Sequence, residues 1–149
     1  MRQEDFVIGD VSLDGFQVVR GHYFSRILEP SMTIRATSLT FSIAAYNALN
    51  NCEAVQVLVN QESRRVLVRP ISSSENDAVG WIKNLDSPKS KPIECSAFAN
   101  QLYDVWEWDK KRRYRANGKL VKYDKKLMLM FDFTDPEIYE GMKLVREHA

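Results

Sequence analysis

At 149 residues, 44% hydrophobic and 28% charged, the chain has the length of one ordinary domain and too many apolar and aromatic side chains for a disordered polymer. No apolar run approaches the roughly 18 residues a membrane helix needs, and the acidic opening MRQEDFVIGD lacks a signal peptide's apolar stretch, so a cytoplasmic location without a membrane partner is expected. The net charge of +1 hides a basic lobe: residues 110–126, KKRRYRANGKLVKYDKK, hold nine of the 21 basic residues against one acid, Asp124.

Taken in chain order, FVIGDVSLDGFQVVRGHYF alternates apolar and polar positions around Asp14-Gly15, which predicts a β-hairpin over residues 6–24. MTIRA and LTFS supply two extended pieces after Pro30. Ser42 is placed to cap a short helix over 43–50, with Ala45, Ala48 and Leu49 on one face and Asn50-Asn51 as its stop. AVQVLVN, the turn NQES and RRVLVRP read as a hairpin of two β-branched strands. ISSSENDAVG and NLDSPKSKP are loop-like, with Trp81 and Ile82 packed between them. IECS leads to a cap at Ser96 and a helix over 97–108 carrying Phe98, Leu102, Val105 and Trp106 on one side. Asn117-Gly118 predicts a hairpin turn, KLMLMFDF a further strand, and Pro136 opens a C-terminal helix through EIYEGMKLVREHA.

Residues 39–70 and 93–133 share one order of elements: strand, Ser cap, helix, strand, turn, strand. Ser42 aligns with Ser96 and Ala45 with Ala99. The expectation is a single domain over 1–149, of α+β class, in which two β-α-β-β repeats form a pseudo-symmetric, barrel-like sheet core. Its parts are an N-terminal hairpin extension (1–31), repeat 1 (32–71), a linker (72–92), repeat 2 (93–134) and a C-terminal helix (135–149).

A strand leading into a short helix that ends in Ala48-Leu49, then an alternating strand, a turn and a strand closing on Arg69-Pro70, resembles the AbrB-type swapped-hairpin modules of bacterial transcription regulators. Two copies in one chain resemble the MraZ arrangement. The resemblance covers residues 32–70 best and 89–133 more loosely, and it implies a DNA-binding transcription regulator. In that family a Gly-Arg pair followed by an apolar residue and Ile-Pro usually precedes the helix. Here RATSLTFS supplies only Arg35, and SPKSKPIECS supplies Lys89 and Lys91, so the departure falls on the segment that touches DNA.

The basic lobe is the leading candidate site. Arg113 and Arg115 share one face of a strand while Arg112 and Tyr114 take the other, a cationic ribbon of the kind that tracks phosphates or enters a major groove. Arg112, Arg113, Arg115 and Lys119 are the expected phosphate contacts on double-stranded DNA, with Arg35, Arg64 and Arg65 as secondary ones. The competing function is a protein-interaction or assembly module with no nucleic-acid role, in which these charges form a solvated hairpin that discourages edge-to-edge pairing. A homodimer is one candidate assembly. Trp106 and Trp108 are expected about 200° apart on a helix end, with core packing as their main role and base stacking as the alternative. Asp132 and Asp135 read as turn and cap residues. His22 and His148 lack the partners of a triad or a zinc site, Cys52 and Cys95 read as reduced, partly buried thiols, and no Gly-rich phosphate loop or GxSxG motif occurs. No enzyme activity and no cofactor is therefore expected.

Overall fold

The structure, a computed structural model, describes residues 9–18 and 29–146. The elements in chain order are β1 (Ser31–Ile34), β2 (Ser38–Phe41), α1 (Ile43–Ala48), β3 (Ala54–Asn60), β4 (Arg65–Pro70), β5 (Val79–Gly80), β6 (Ile82–Lys83), β7 (Lys89–Ser90), β8 (Ile93–Glu94), α2 (Ser96–Val105), β9 (Arg112–Tyr123), β10 (Lys126–Asp132), β11 (Glu137–Glu140) and β12 (Lys143–Arg146). Strands dominate, and all their pairings are antiparallel. Ten of them form one curled, half-barrel sheet in the order β5-β3-β4-β10-β9-β1-β2-β8, with β11 along β9 and β12 outside it, while β6 and β7 pair separately.

Curling closes the sheet over its own apolar face. Met32, Ile34 and Phe41 of β1 and β2 meet Val66, Val68, Leu129 and Phe131 of β4 and β10, all fully buried, and the Phe41 and Phe131 rings lie 5.9 Å apart. Trp81, from the stretch between the two halves, is also fully buried; its ring meets Phe41 edge-on and its Nε1–H donates to Cys52 O at 2.8 Å.

Local chemistry explains the elements that sequence reading anticipated. The Ser42 hydroxyl accepts from Ala45 N at 3.1 Å, capping α1, and from Ser31 N at 2.9 Å, so one oxygen ties the helix to β1. Asn50 and Asn51, both at φ 58°, end α1 as expected. β3 and β4 form the expected hairpin, with Asn60 Oδ1 accepting from Ser63 N across its turn. The helix expected over 97–108 runs Ser96–Val105, and Cys95 rather than Ser96 occupies its N-cap. Its buried face is Ala99, Leu102 and Tyr103, whereas Val105 is exposed. The Tyr103 hydroxyl lies 2.9 Å from Ile34 O and 2.6 Å from Arg112 O, sharing its proton between β1 and β9.

Two expectations are corrected, and a third lies largely outside the described residues. Asn117-Gly118 is not a turn: both residues lie inside β9, which pairs with β1 through Asn117 and with β10 from Gly118 onward. A Cβ at Gly118 would sit 2.7 Å from Phe131 Cε1, so glycine serves a close approach at the corner of the curled sheet. The hairpin turn is Asp124-Lys125, with φ values of 51° and 65° that match a two-residue type I′ loop. Residues 137–146, expected as part of a C-terminal helix, are the β11–β12 hairpin, turning at Gly141 with φ 60°. Glu137 of β11 pairs in register with Arg115 of β9, a long-range contact that outweighs the local helical pattern. The N-terminal hairpin expected over 6–24 lies largely outside the described residues; of it, residues 9–18 carry a turn at Asp14-Gly15, where Phe16 N donates to Leu13 O at 3.0 Å, and no strand.

Candidate nucleic-acid interface

The basic lobe divides into two parts with different chemistry. In its first part, β9 runs between β1 and β11 and its arginines are engaged. Arg115 pairs with the Glu137 carboxylate, their side chains 15% and 0% exposed, and Tyr139 OH donates to the same carboxylate at 3.2 Å. Arg113 lies over the Tyr139 ring, 4.8 Å from its centroid, and donates to Gly141 O. Arg112 Nε lies 3.9 Å from Asp109 Oδ2. Removing charges of this kind removes intramolecular partners first.

In its second part, β9 and β10 extend past their other partner strands. Val121, Lys122 and Tyr123 pair with Met128, Leu127 and Lys126, and beyond Leu129 these two strands pair only with one another among the described residues. The result is a two-stranded ribbon carrying Lys122, Lys125 and Lys126, with Lys119 at its base, all exposed. Side chains alternate across a strand, so Lys119, Val121 and Tyr123 share a face and Lys122 takes the other, while Lys126 stands directly opposite Tyr123. Tyr123 is 70% and Leu120 52% exposed, which leaves an aromatic ring standing among cations.

Beside the ribbon tip lies an open cleft of about 790 Å³. Tyr123 to Met128 form one wall; Leu49 and Asn50 after α1 and Arg69 to Ser72 at the end of β4 form the other. Arg69 is held by Gln56, whose Oε1 accepts from its Nε at 2.6 Å.

The remaining expected contacts are dispersed. Arg65 Nε sits 3.7 Å from Asp132 Oδ2, on the outer face of the sheet near Lys119. Arg35 is exposed in the β1–β2 turn and donates to Thr40 Oγ1 at 3.2 Å. Arg64, at φ 56°, ends the β3–β4 turn and accepts from Phe133 N through its backbone carbonyl at 2.8 Å. The seven expected residues therefore do not converge: Lys119 lies at the ribbon's base, and Lys122, Lys125, Lys126 and Tyr123 complete a group that the sequence reading passed over. The signal for it was present, because LVKYDKK places three lysines and an aromatic around a two-residue turn.

Other candidate groups have structural duties. Trp106 is a core residue and Trp108 packs against the core: Glu107, at φ 55°, folds the chain back after α2, so the two rings meet at 4.9 Å instead of diverging. Trp108 stacks on Tyr114 at 4.0 Å, and Trp106 Nε1–H donates to Gln61 O at 2.9 Å. Asp132 Oδ1 accepts from Thr134 N and Oγ1, the expected turn role. Burial opposes ionisation of Asp132, but the two Thr134 hydrogen bonds and the charges of Arg65 and Lys119 prevail and lower its pKa. Cys52 and Cys95 are free and half-buried, and burial pushes both thiols up, aided at Cys95 by Glu94. His22 and His148 lie outside the described residues. Among the described residues, no group of three His, Cys, Asp or Glu side chains is placed to hold a metal ion, and no helix is long and apolar enough to cross a membrane.

Comparison of the chain with family models, curated proteins and solved structures finds no match.

Proposed function

We propose that the chain binds nucleic acid through the β9–β10 ribbon, with Lys119, Lys122, Lys125 and Lys126 neutralising phosphates. The observation that carries this reading is a ribbon extending past its other described partner strands, with exposed Lys122, Lys125 and Lys126, exposed Lys119 at its base and one acid in its turn. A two-stranded β-ribbon has the dimensions to enter a major groove or follow a backbone, and each phosphate it neutralises releases counterions. Arg65, half exposed beside Lys119, extends the same surface, while Arg112, Arg113 and Arg115 set the geometry of the ribbon's base. In this reading the chain is a tandem of β-α-β-β units similar to AbrB-type regulators, with double-stranded DNA as its partner and no catalytic role. The order β3-β4-β10-β9, two hairpins joined antiparallel through β4 and β10, is compatible with such a tandem.

Anisotropy titration of a labelled duplex with the wild type and with the variant Lys119→Ala/Lys122→Ala/Lys125→Ala/Lys126→Ala tests it. Affinity should fall at least tenfold in the variant and much less on Arg35→Ala. Equal affinities of wild type and fourfold variant would refute the ribbon's role.

A second reading, a protein-interaction module, draws on a different observation. Leu58, Leu67 and Met130 form a half-buried apolar stripe on the outer face of the sheet, bordered by Asn60, Ser63 and Arg65 around a hollow of about 340 Å³. Leu67→Asp would abolish a partner's binding there and leave the ribbon untouched.

A further inference from the structure

Neutralising phosphates requires only lysines, yet the ribbon tip also carries an exposed ring and adjoins a cleft. The cleft is lined by apolar Leu49, Pro70 and Leu127 and by Arg69, Lys125 and Lys126 against the one acid Asp124. Tyr123, 70% exposed and directly opposite Lys126, lines the same cleft. An aromatic ring, apolar side chains and cations around one opening suit a planar base bearing a phosphate.

We infer that the cleft receives one unpaired nucleotide of a bound nucleic acid, its base against the Tyr123 ring and its phosphate facing Lys125, Lys126 and Arg69. The inference rests on the nucleic-acid reading above and adds a substrate class to it. A base inside a paired duplex has both faces covered by its neighbours and cannot lie on Tyr123; a single-stranded, bulged or extruded base can. The cleft's volume, about 790 Å³, falls in the range of roughly 300–1,000 Å³ typical of small-ligand sites. Asn50, held at φ 58° on the far wall, is a neutral group with both donors and an acceptor suited to a base edge.

The test compares a labelled 20-base-pair duplex, the same duplex with one extra unpaired adenine, and free dAMP. With 2-aminopurine at the unpaired position, stacking is read directly as loss of its fluorescence. The wild type should bind the bulged duplex about tenfold more tightly than the paired one, as aromatic stacking on one base provides, and should quench the probe. Tyr123→Ala should abolish both the preference and the quenching while keeping salt-sensitive binding to the paired duplex, and Tyr123→Phe should retain all three. Equal, salt-sensitive binding to both duplexes without quenching would overturn the cleft's role and leave the ribbon's intact. Binding of dAMP as tight as that of the bulged duplex would overturn it in favour of a free nucleotide. Absence of salt-sensitive binding to either duplex would overturn the ribbon's role, and the cleft's with it.

Discussion

Gly118 and Arg115 are two residues whose roles depend on partners distant in sequence. Gly118 belongs to an Asn-Gly pair, the strongest local hairpin signal, but Phe131 occupies the space where its Cβ would be. Gly118→Ala should destabilise the protein by about 1–3 kcal/mol, the cost of pushing a methyl group against the buried Phe131 ring, measured as a lower urea midpoint at unchanged m-value. Arg115→Ala removes the guanidinium from the fully buried Glu137 carboxylate and should lower stability by up to about 3–5 kcal/mol. Lys122→Ala, on the exposed ribbon, should stay within about 0.5 kcal/mol. Two positive side chains of one basic run, Arg115 and Lys122, therefore separate into a structural and a surface role, a division that charge alone could not reveal. Asp132 adds a pH dependence. Its folded pKa lies below the ordinary 3.8, so its contribution is present above that value and disappears as the pH falls through the folded one. The carboxylate is 45% exposed, so the contribution is small; Asp132→Asn should flatten the stability profile below about pH 4.

The elements that could be read from the sequence were those specified by neighbouring residues. The β3–β4 hairpin followed from alternation and β-branching, and α1 from Ser42 and the two asparagines. The β11–β12 hairpin did not, because Pro136 and the acids after it satisfy the start rules of a helix, while the contacts that make it a strand come from Arg112 to Arg115 of β9. The β9–β10 turn was missed for the converse reason: Asp124-Lys125 takes the left-handed conformation without a glycine, and the nearby Asn-Gly attracted the assignment. α2 is joined to the sheet through Tyr103, whose phenol burial and the neighbouring Tyr114 hold above its ordinary pKa of 10. Tyr103→Phe deprives the Ile34 and Arg112 carbonyls of their shared donor and should lower stability by about 1–2 kcal/mol, seen as a lower thermal midpoint.

Across the whole molecule, the sheet positions a charged ribbon outside itself. β1, β2, β4 and β10 close the core, β11 holds the base of β9 with buried charge, and among the described residues the end of β9 pairs with β10 alone. The sequence located the charge in residues 110–126 but not the boundary at Gly118 between its engaged and free parts, because that boundary is where β9 passes from one neighbour to the next. Four free lysines on one ribbon imply a binding constant governed by ionic strength, with a slope of log K against log salt of about −0.9 per phosphate neutralised. The most direct measurement is therefore a salt series of duplex-binding titrations, wild type beside the fourfold lysine variant. The account predicts a wild-type slope of about −3 to −4, reduced in magnitude by at least 2 in the variant; a slope near zero in the wild type, or one unchanged by removing the four lysines, would contradict it.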